Sequence, residues 1–130
     1  MRGKWILVIV IALAALSCSK EVKKSDIEDV RGDYEWFYST DDLFESVYSD
    51  AISDQHGIRI KSKRKVEFYT NSEKELSLDI LSVHEYGSDG KLIVVRWNDQ
   101  VNRDLVITDD VITFYGWPYS EFSNRFVKSN

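Results

Sequence analysis

Glu75 to Trp97 reads ELSLDILSVHEYGSDGKLIVVRW, and its middle, Ser88-Asp89-Gly90-Lys91, decides what the chain builds. An Asp-Gly pair between runs of alternating apolar residues is the strongest short signal for a β-hairpin. A two-residue loop there pairs Tyr86 with Ile93, His84 with Val95, and Ser82 with Trp97. Period 2 then collects Leu76, Leu78, Ile80, Ser82, His84, Tyr86, Ile93, Val95 and Trp97 on one face, read as the core side. Leu81, Val83, Glu85, Leu92, Val94 and Arg96 share the other. That second face is apolar too, so something must cover it.

Downstream the logic repeats. Asp109-Asp110 makes a turn that pairs Thr108 with Val111 and Ile107 with Ile112. Leu105, Ile107, Ile112 and Phe114 form an apolar face, with Val106, Thr108, Val111 and Thr113 opposite. Gly116-Trp117-Pro118-Tyr119 interrupts the pattern, because Pro118 has no N–H for a ladder, and Phe122 to Lys128 reads as a last strand.

Upstream, Gly57–Ser62 (GIRIKS) and Lys65–Thr70 (KVEFYT) flank a basic turn, and Asn71 to Lys74 makes the next one. Lysines in such a turn guard sheet edges against aggregation, and the same charge suits anionic headgroups. Gly32 to Tyr38 alternates Tyr34, Trp36 and Tyr38 with Asp33, Glu35 and Phe37, a strand with one aromatic face. Asp42 and Glu45 have capping-box spacing, and Leu43, Phe44, Val47, Tyr48, Ala51 and Ile52 form one helical stripe before Gly57. The spacing predicts one short helix after the first strand. It is the cheapest cover for the apolar second face, with a protein partner the other candidate.

The first eighteen residues have a different character. Arg2 and Lys4 precede Trp5–Leu16 (WILVIVIALAAL), an apolar run of twelve. As a helix it spans ~18 Å, short of the ~30 Å hydrocarbon core, so it reads as a signal peptide over residues 1–17. Cys18, the only cysteine, stands where the run ends. A lone cysteine in an exported chain is either an unpaired thiol or a modified one. Removing Arg2 and Lys4 leaves 15 of the 17 basic residues against 22 acidic ones, a net charge of −7. That balance argues against nucleic acid as a partner. Ser19 to Arg31 is polar and without sustained period, which predicts a flexible tether over residues 18–31 and a folded domain over 32–130.

Ala15-Leu16-Ser17-Cys18 resembles the lipobox of bacterial lipoproteins. The resemblance implies cleavage before Cys18 and attachment of fatty acyl chains such as palmitate, more than one chain being enough for stable anchoring. By the same family's sorting rule, Ser19 after the cysteine implies the outer membrane. The domain is similar to the small lipocalin-like lipoproteins, through Gly32-Asp33-Tyr34 with Trp36, the hairpin Leu105 to Val111, and the terminal Phe126-Val127-Lys128. The expected fold is therefore mainly β, a small antiparallel meander barrel with one short helix. A cystatin-like α+β fold, with the helix laid across a curled sheet, is the alternative.

No catalytic constellation stands out. His56 and His84 are 28 positions apart, there is no His-x-x-x-His or Cys-x-x-Cys pair, and no Gly-rich phosphate loop, so neither enzyme activity, metal nor cofactor is expected. Two functions remain. One is an interaction module of the cell envelope, meeting a protein or polymer through Leu81, Val83, Leu92 and Val94 or through the Trp117 loop. The other is a binder of a small apolar ligand, with Trp36, His84 and Trp97 lining the interior. The aromatic cluster Tyr115, Trp117, Tyr119 and Phe122 serves either as a plug for one barrel end or as a contact surface.

Overall fold

The computed structural model describes residues 22–43, 45–62 and 64–129. The signal segment, Cys18, Phe44 and Lys63 lie outside them. A one-turn helix, α1 (Lys24–Ile27), runs into a 3₁₀ turn, Glu28–Val30. Nine strands follow: β1 (Gly32–Thr40), β2 (Ser46–Tyr48), β3 (His56–Ser62), β4 (Lys65–Thr70), β5 (Glu73–Tyr86), β6 (Gly90–Arg96), β7 (Asn102–Thr108), β8 (Val111–Tyr115) and β9 (Ser123–Lys128). From β3 to β9 each strand pairs antiparallel with the next, and β9 pairs back onto β1 from Tyr34↔Lys128 to Thr40↔Ser123. The result is a closed eight-stranded meander barrel made of β1 and β3 to β9. β2 lies on the upper part of the β1 edge that β3 occupies lower down (Tyr38↔Tyr48 against Glu35↔Gly57). A sheet closed on itself has no edge to expose, and the cystatin-like alternative is excluded by that closure.

Because consecutive strands run in opposite directions, connections alternate between two ends. One end holds α1 and the turns 63–64, 87–89 and 109–110. The opposite rim holds segments 41–55, 71–72, 97–101 and 116–122. The lumen is filled by the chain itself. Ile58, Ile60, Val66, Phe68, Ile93, Val95, Leu105, Ile112, Phe114 and Phe126 are all at most 1 % exposed. Phe68 packs on Phe114 at 5.3 Å between ring centres, and Trp117 lies flat on Phe126 at 6.0 Å.

Three expectations are corrected. The helix predicted after the first strand is not formed. Asp41, not Asp42, does the capping: its Oδ1 accepts from the N–H of Leu43 (3.0 Å) and of Glu45 (2.8 Å), closing the loop between β1 and β2. Residues 46–51 continue as β2 and a 3₁₀ turn, so the short helix of this fold is α1, before the first strand. Second, residues 22–31 are not a tether but part of the domain. Ile27 is fully buried and Val22 and Val30 nearly so in the barrel core, and the Tyr34 hydroxyl donates to Val30 O at 2.7 Å. Burial pushes the Tyr34 hydroxyl pKa well up, with the carboxylates of Asp110 and Asp29 adding to it.

The third correction is the register of the long hairpin. Tyr86 pairs with Gly90, leaving a three-residue loop, Gly87-Ser88-Asp89, with Gly87 at φ +65°. A Cβ on Gly90 would sit 2.5 Å from Tyr86 O, so only glycine closes this turn as it stands. Further down, Ile80 pairs with Val95 and Ser82 with Val94, so Leu81 is an extra residue in β5. A bulge flips every later side chain to the other face. Leu78 and Ile80 therefore point inward as expected, while Ser82, His84 and Tyr86 point outward and Val83, opposite Ile93, packs against the core. The Asp109-Asp110 hairpin has the predicted pairing, with φ +50° and +62° at its two aspartates.

Candidate functional site

The site is built where β1 and β3 part. Their pairing ends at Glu35↔Gly57, and above it segment 49–55 returns the chain from β2 to β3. Between them lies an open cleft of about 780 Å³, lined by Asp33 to Trp36, residues 49 and 50, residues 52 to 59, Tyr69, Ser72 and Ser129.

At its inner wall His56, the first residue of β3, stands among aromatic rings. Trp36 and Trp117 meet it edge-on at 5.5 Å and Tyr119 at 6.4 Å. Its Nδ1 is hydrogen-bonded to Thr70 Oγ1 at 2.9 Å. Burial lowers the pKa of His56 below its usual 6.5 despite the nearby carboxylates of Asp54 and Glu75, so the ring is neutral at neutral pH. Trp36 is fixed by its indole N–H, which donates to Ser39 Oγ at 2.8 Å. Ser39 faces inward because a bulge between Trp36 and Tyr38 shifts the phase of β1. The same bulge turns Tyr38 outward, where it stacks on Tyr48 and receives the Arg125 guanidinium 4.9 Å from its ring centre.

The outer lip carries charge. Arg59 Nε donates to Asp33 Oδ1 at 2.5 Å, and Arg59 Nη1 reaches the Tyr69 hydroxyl at 3.3 Å. That hydroxyl donates to Glu67 Oε1 at 2.7 Å, and Lys74 Nζ lies 3.4 Å from Glu67 Oε2. The Tyr69 bond, backed by Lys74 and Lys61, holds the pKa of Glu67 below the usual carboxylate range although its side chain is only 6 % exposed. Among the described residues no three His, Cys, Asp or Glu side chains cluster as metal ligands.

Of the residues expected to line a ligand site, Trp36 and Trp97 are inside the rim and His84 is not. Trp97 packs on Phe68 and Phe114, with the Arg103 guanidinium 4.3 Å over its outer face. The Leu81 bulge puts His84 on the exposed outer surface, hydrogen-bonded to Ser82 at 2.9 Å. His56 takes the place imagined for it, and nothing in its local sequence marked it. Of the expected partner surface, Leu81, Leu92 and Val94 lie partly buried on the outer wall, Leu92 beside Val106. Val83 has turned inward, and Trp117, 9 % exposed, is a plug. Trp117 meets Phe68 edge-on at 5.0 Å, so of the aromatic cluster's two roles it fills the structural one.

These features define a closed eight-stranded antiparallel barrel with a filled lumen and a cleft at one seam. The chain matches no family model, no curated protein and no solved structure.

Proposed function

We propose that the protein is a lipid-anchored, non-catalytic interaction module of the bacterial cell envelope, a lipocalin-like barrel that meets its partner through its outer wall. The observation that supports this is the packed lumen. An eight-stranded barrel has room for its own side chains or for one small ligand, and here Phe68, Phe114 and Phe126 are buried in the interior with no exposed surface. Recognition then belongs to the exterior, where Leu81, Leu92, Val94 and Val106 make an apolar strip. Among the described residues, the segment expected to cover that strip as a helix forms β2 and a 3₁₀ turn instead. The anchor reading rests on the apolar run before Cys18 and on the lipobox-like Ala15 to Cys18, and it favours the outer membrane.

Photo-crosslinking from positions 92 and 94 in intact cells tests the surface. A discrete adduct from these positions, absent from position 74 and lost in Leu81→Glu, is the expected result; equal adducts from all three would refute it. For the anchor, a radiolabelled fatty acid is expected to label the wild type and not Cys18→Ala.

A second reading has its own observation, the cleft beside Trp36 and His56. Its volume is that of a small-ligand site. An apolar ligand seated there would quench Trp36, so a titration in which Trp36→Phe removes the fluorescence change supports this reading, and an unchanged response removes it.

A further inference from the structure

We propose that the barrel stands upright on an anionic phospholipid bilayer, its α1 end seated on the headgroups and its opposite rim held away from them. The inference rests on the reading of Cys18 as the acylated residue and adds to it an orientation and a contact surface.

The first observation is length. Val22 is already buried in the core. Only residues 19, 20 and 21 separate it from Cys18, and four Cα-to-Cα steps reach at most ~14 Å whatever their conformation. An acyl chain inserted at Cys18 therefore keeps the α1 end within about one Debye length or two of the membrane surface. Residues 22–31, the described part of the segment read as a tether, are α1 and its 3₁₀ turn, docked through Ile27 and Val30.

The second observation is charge. The four connections of the far rim contain Asp41, Asp42, Glu45, Asp50, Asp54, Asp99 and Glu121, and neither lysine nor arginine. The α1 end is mixed. It carries Asp26, Glu28, Asp29, Asp89, Asp109 and Asp110, but also exposed Lys23, Lys24, Arg31 and Arg64, with Lys61 and Lys65 in the adjoining strand ends. Lys65 is paired with Asp79 at 2.6 Å, and its side chain is still about half exposed. A cytoplasmic-type anionic surface attracts each nearby Lys or Arg by about 1 kcal/mol and repels carboxylates in kind. Seven rim carboxylates, against Lys74, Arg96 and Arg103 in the adjoining strand ends, disfavour the inverted pose, and the balanced α1 end with its basic hairpin is the less repelled face. The barrel wall is about 15–20 Å tall, so the rim stays beyond the reach of the surface potential.

The test couples the chain from residue 18 onward, through its single thiol, to maleimide-lipid vesicles of phosphatidylglycerol and phosphatidylcholine. Lysine acetylation is then mapped by mass spectrometry against the uncoupled protein. Lys23, Lys61 and Lys65 are expected to label roughly three- to tenfold more slowly on the vesicles, and Lys74 near the far rim at an unchanged rate. Uniform protection, or protection of Lys74 alone, overturns the pose. Vesicles of phosphatidylcholine alone are expected to lose most of the difference, and an equal difference there overturns the anionic contact. Inserting about fifteen Gly/Ser residues before Glu21, a link of ~20 Å, is expected to restore free-protein rates, and protection that survives overturns the length argument. The mass of the N-terminal peptide from native membranes reads the anchor separately. An unmodified Cys18 there would sink the anchor without touching the vesicle result.

Discussion

Ser39 and Asn124, 85 positions apart, meet inside the barrel through a 2.5 Å hydrogen bond from Ser39 Oγ to Asn124 Oδ1. Both are fully buried. The Asn124 amide nitrogen donates to the carbonyls of Phe114 (3.1 Å), Tyr119 (3.1 Å) and Phe122 (2.9 Å). One side chain thus joins the first strand to the last and pins the loop that carries Trp117. Asn124→Ala strands those partners away from water, at about 1–3 kcal/mol for each group left unpaired. An overall loss of roughly 2–4 kcal/mol is expected in urea unfolding. A change below about 0.5 kcal/mol would show the network to be dispensable.

Ile27 sits in the segment that composition describes as a linker, yet it has no exposed surface. Ile27→Ala is expected to cost about 2–4 kcal/mol, the range for an aliphatic residue deleted from a packed core. Thermal unfolding of the chain from residue 18 onward measures it. A wild-type melting temperature would return residues 22–31 to the linker.

Gly116 stands at φ +100°, and a Cβ there would collide with the Arg103 guanidinium. That guanidinium donates to Tyr115 O at 3.2 Å and lies over Trp97. Gly116→Ala is expected to lose about 1–3 kcal/mol and to displace Arg103, changing the near-ultraviolet circular dichroism of Trp97. Arg103→Ala should leave the strain at φ +100° but relieve the collision, so the double variant is less destabilised than the sum of the singles.

Two groups contribute to the acid limb of stability. Burial makes His56 harder to protonate in the folded state than in the unfolded chain, where its pKa is near 6.5. Below that pH the unfolded chain binds the extra proton, so stability declines as pH falls from about 6.5 through the lower folded value. Glu67 behaves in the same direction further down. Its depressed pKa contributes stability above the unfolded value of about 4.5, lost as pH falls through the folded one. His56→Gln is expected to flatten the upper part of a stability-versus-pH curve and Glu67→Gln the lower part. An imidazole titration of His56 with a midpoint above 6.5 would contradict the burial argument.

The parts of the fold that were legible are those where one residue type has one consequence. Asp109-Asp110 tolerates two successive left-handed φ angles, so the hairpin around it has a single register, and Leu105, Ile107, Ile112 and Phe114 fall inside together. The parts that were not legible turn on single extra residues. Neither Phe37 nor Leu81 is marked as a bulge by glycine or proline, yet each reverses the faces beyond it. That reversal is why His84 left the candidate site. His56 entered it because the β1–β3 seam opens at Gly57, a tertiary event. The stripe from Leu43 to Ile52 satisfies helical spacing, but Asp41 closes its loop by accepting from two backbone N–H groups, and Tyr38 to Thr40 of β1 give Ser46 to Tyr48 a strand to pair with.

The seam between β1 and β9 has a consequence for how the molecule comes into being. Six residue pairs there join the start of the barrel to Ser123–Lys128 at the end of the chain. Hairpins from β3 to β8 can form as the chain emerges, but the ring stays open, with two bare edges, until the last strand is delivered. Such distant pairing slows folding and leaves the half-made sheet sticky in the meantime. Withholding Ser123–Lys128 therefore keeps the barrel from closing, and delivering that strand is the step that locks it.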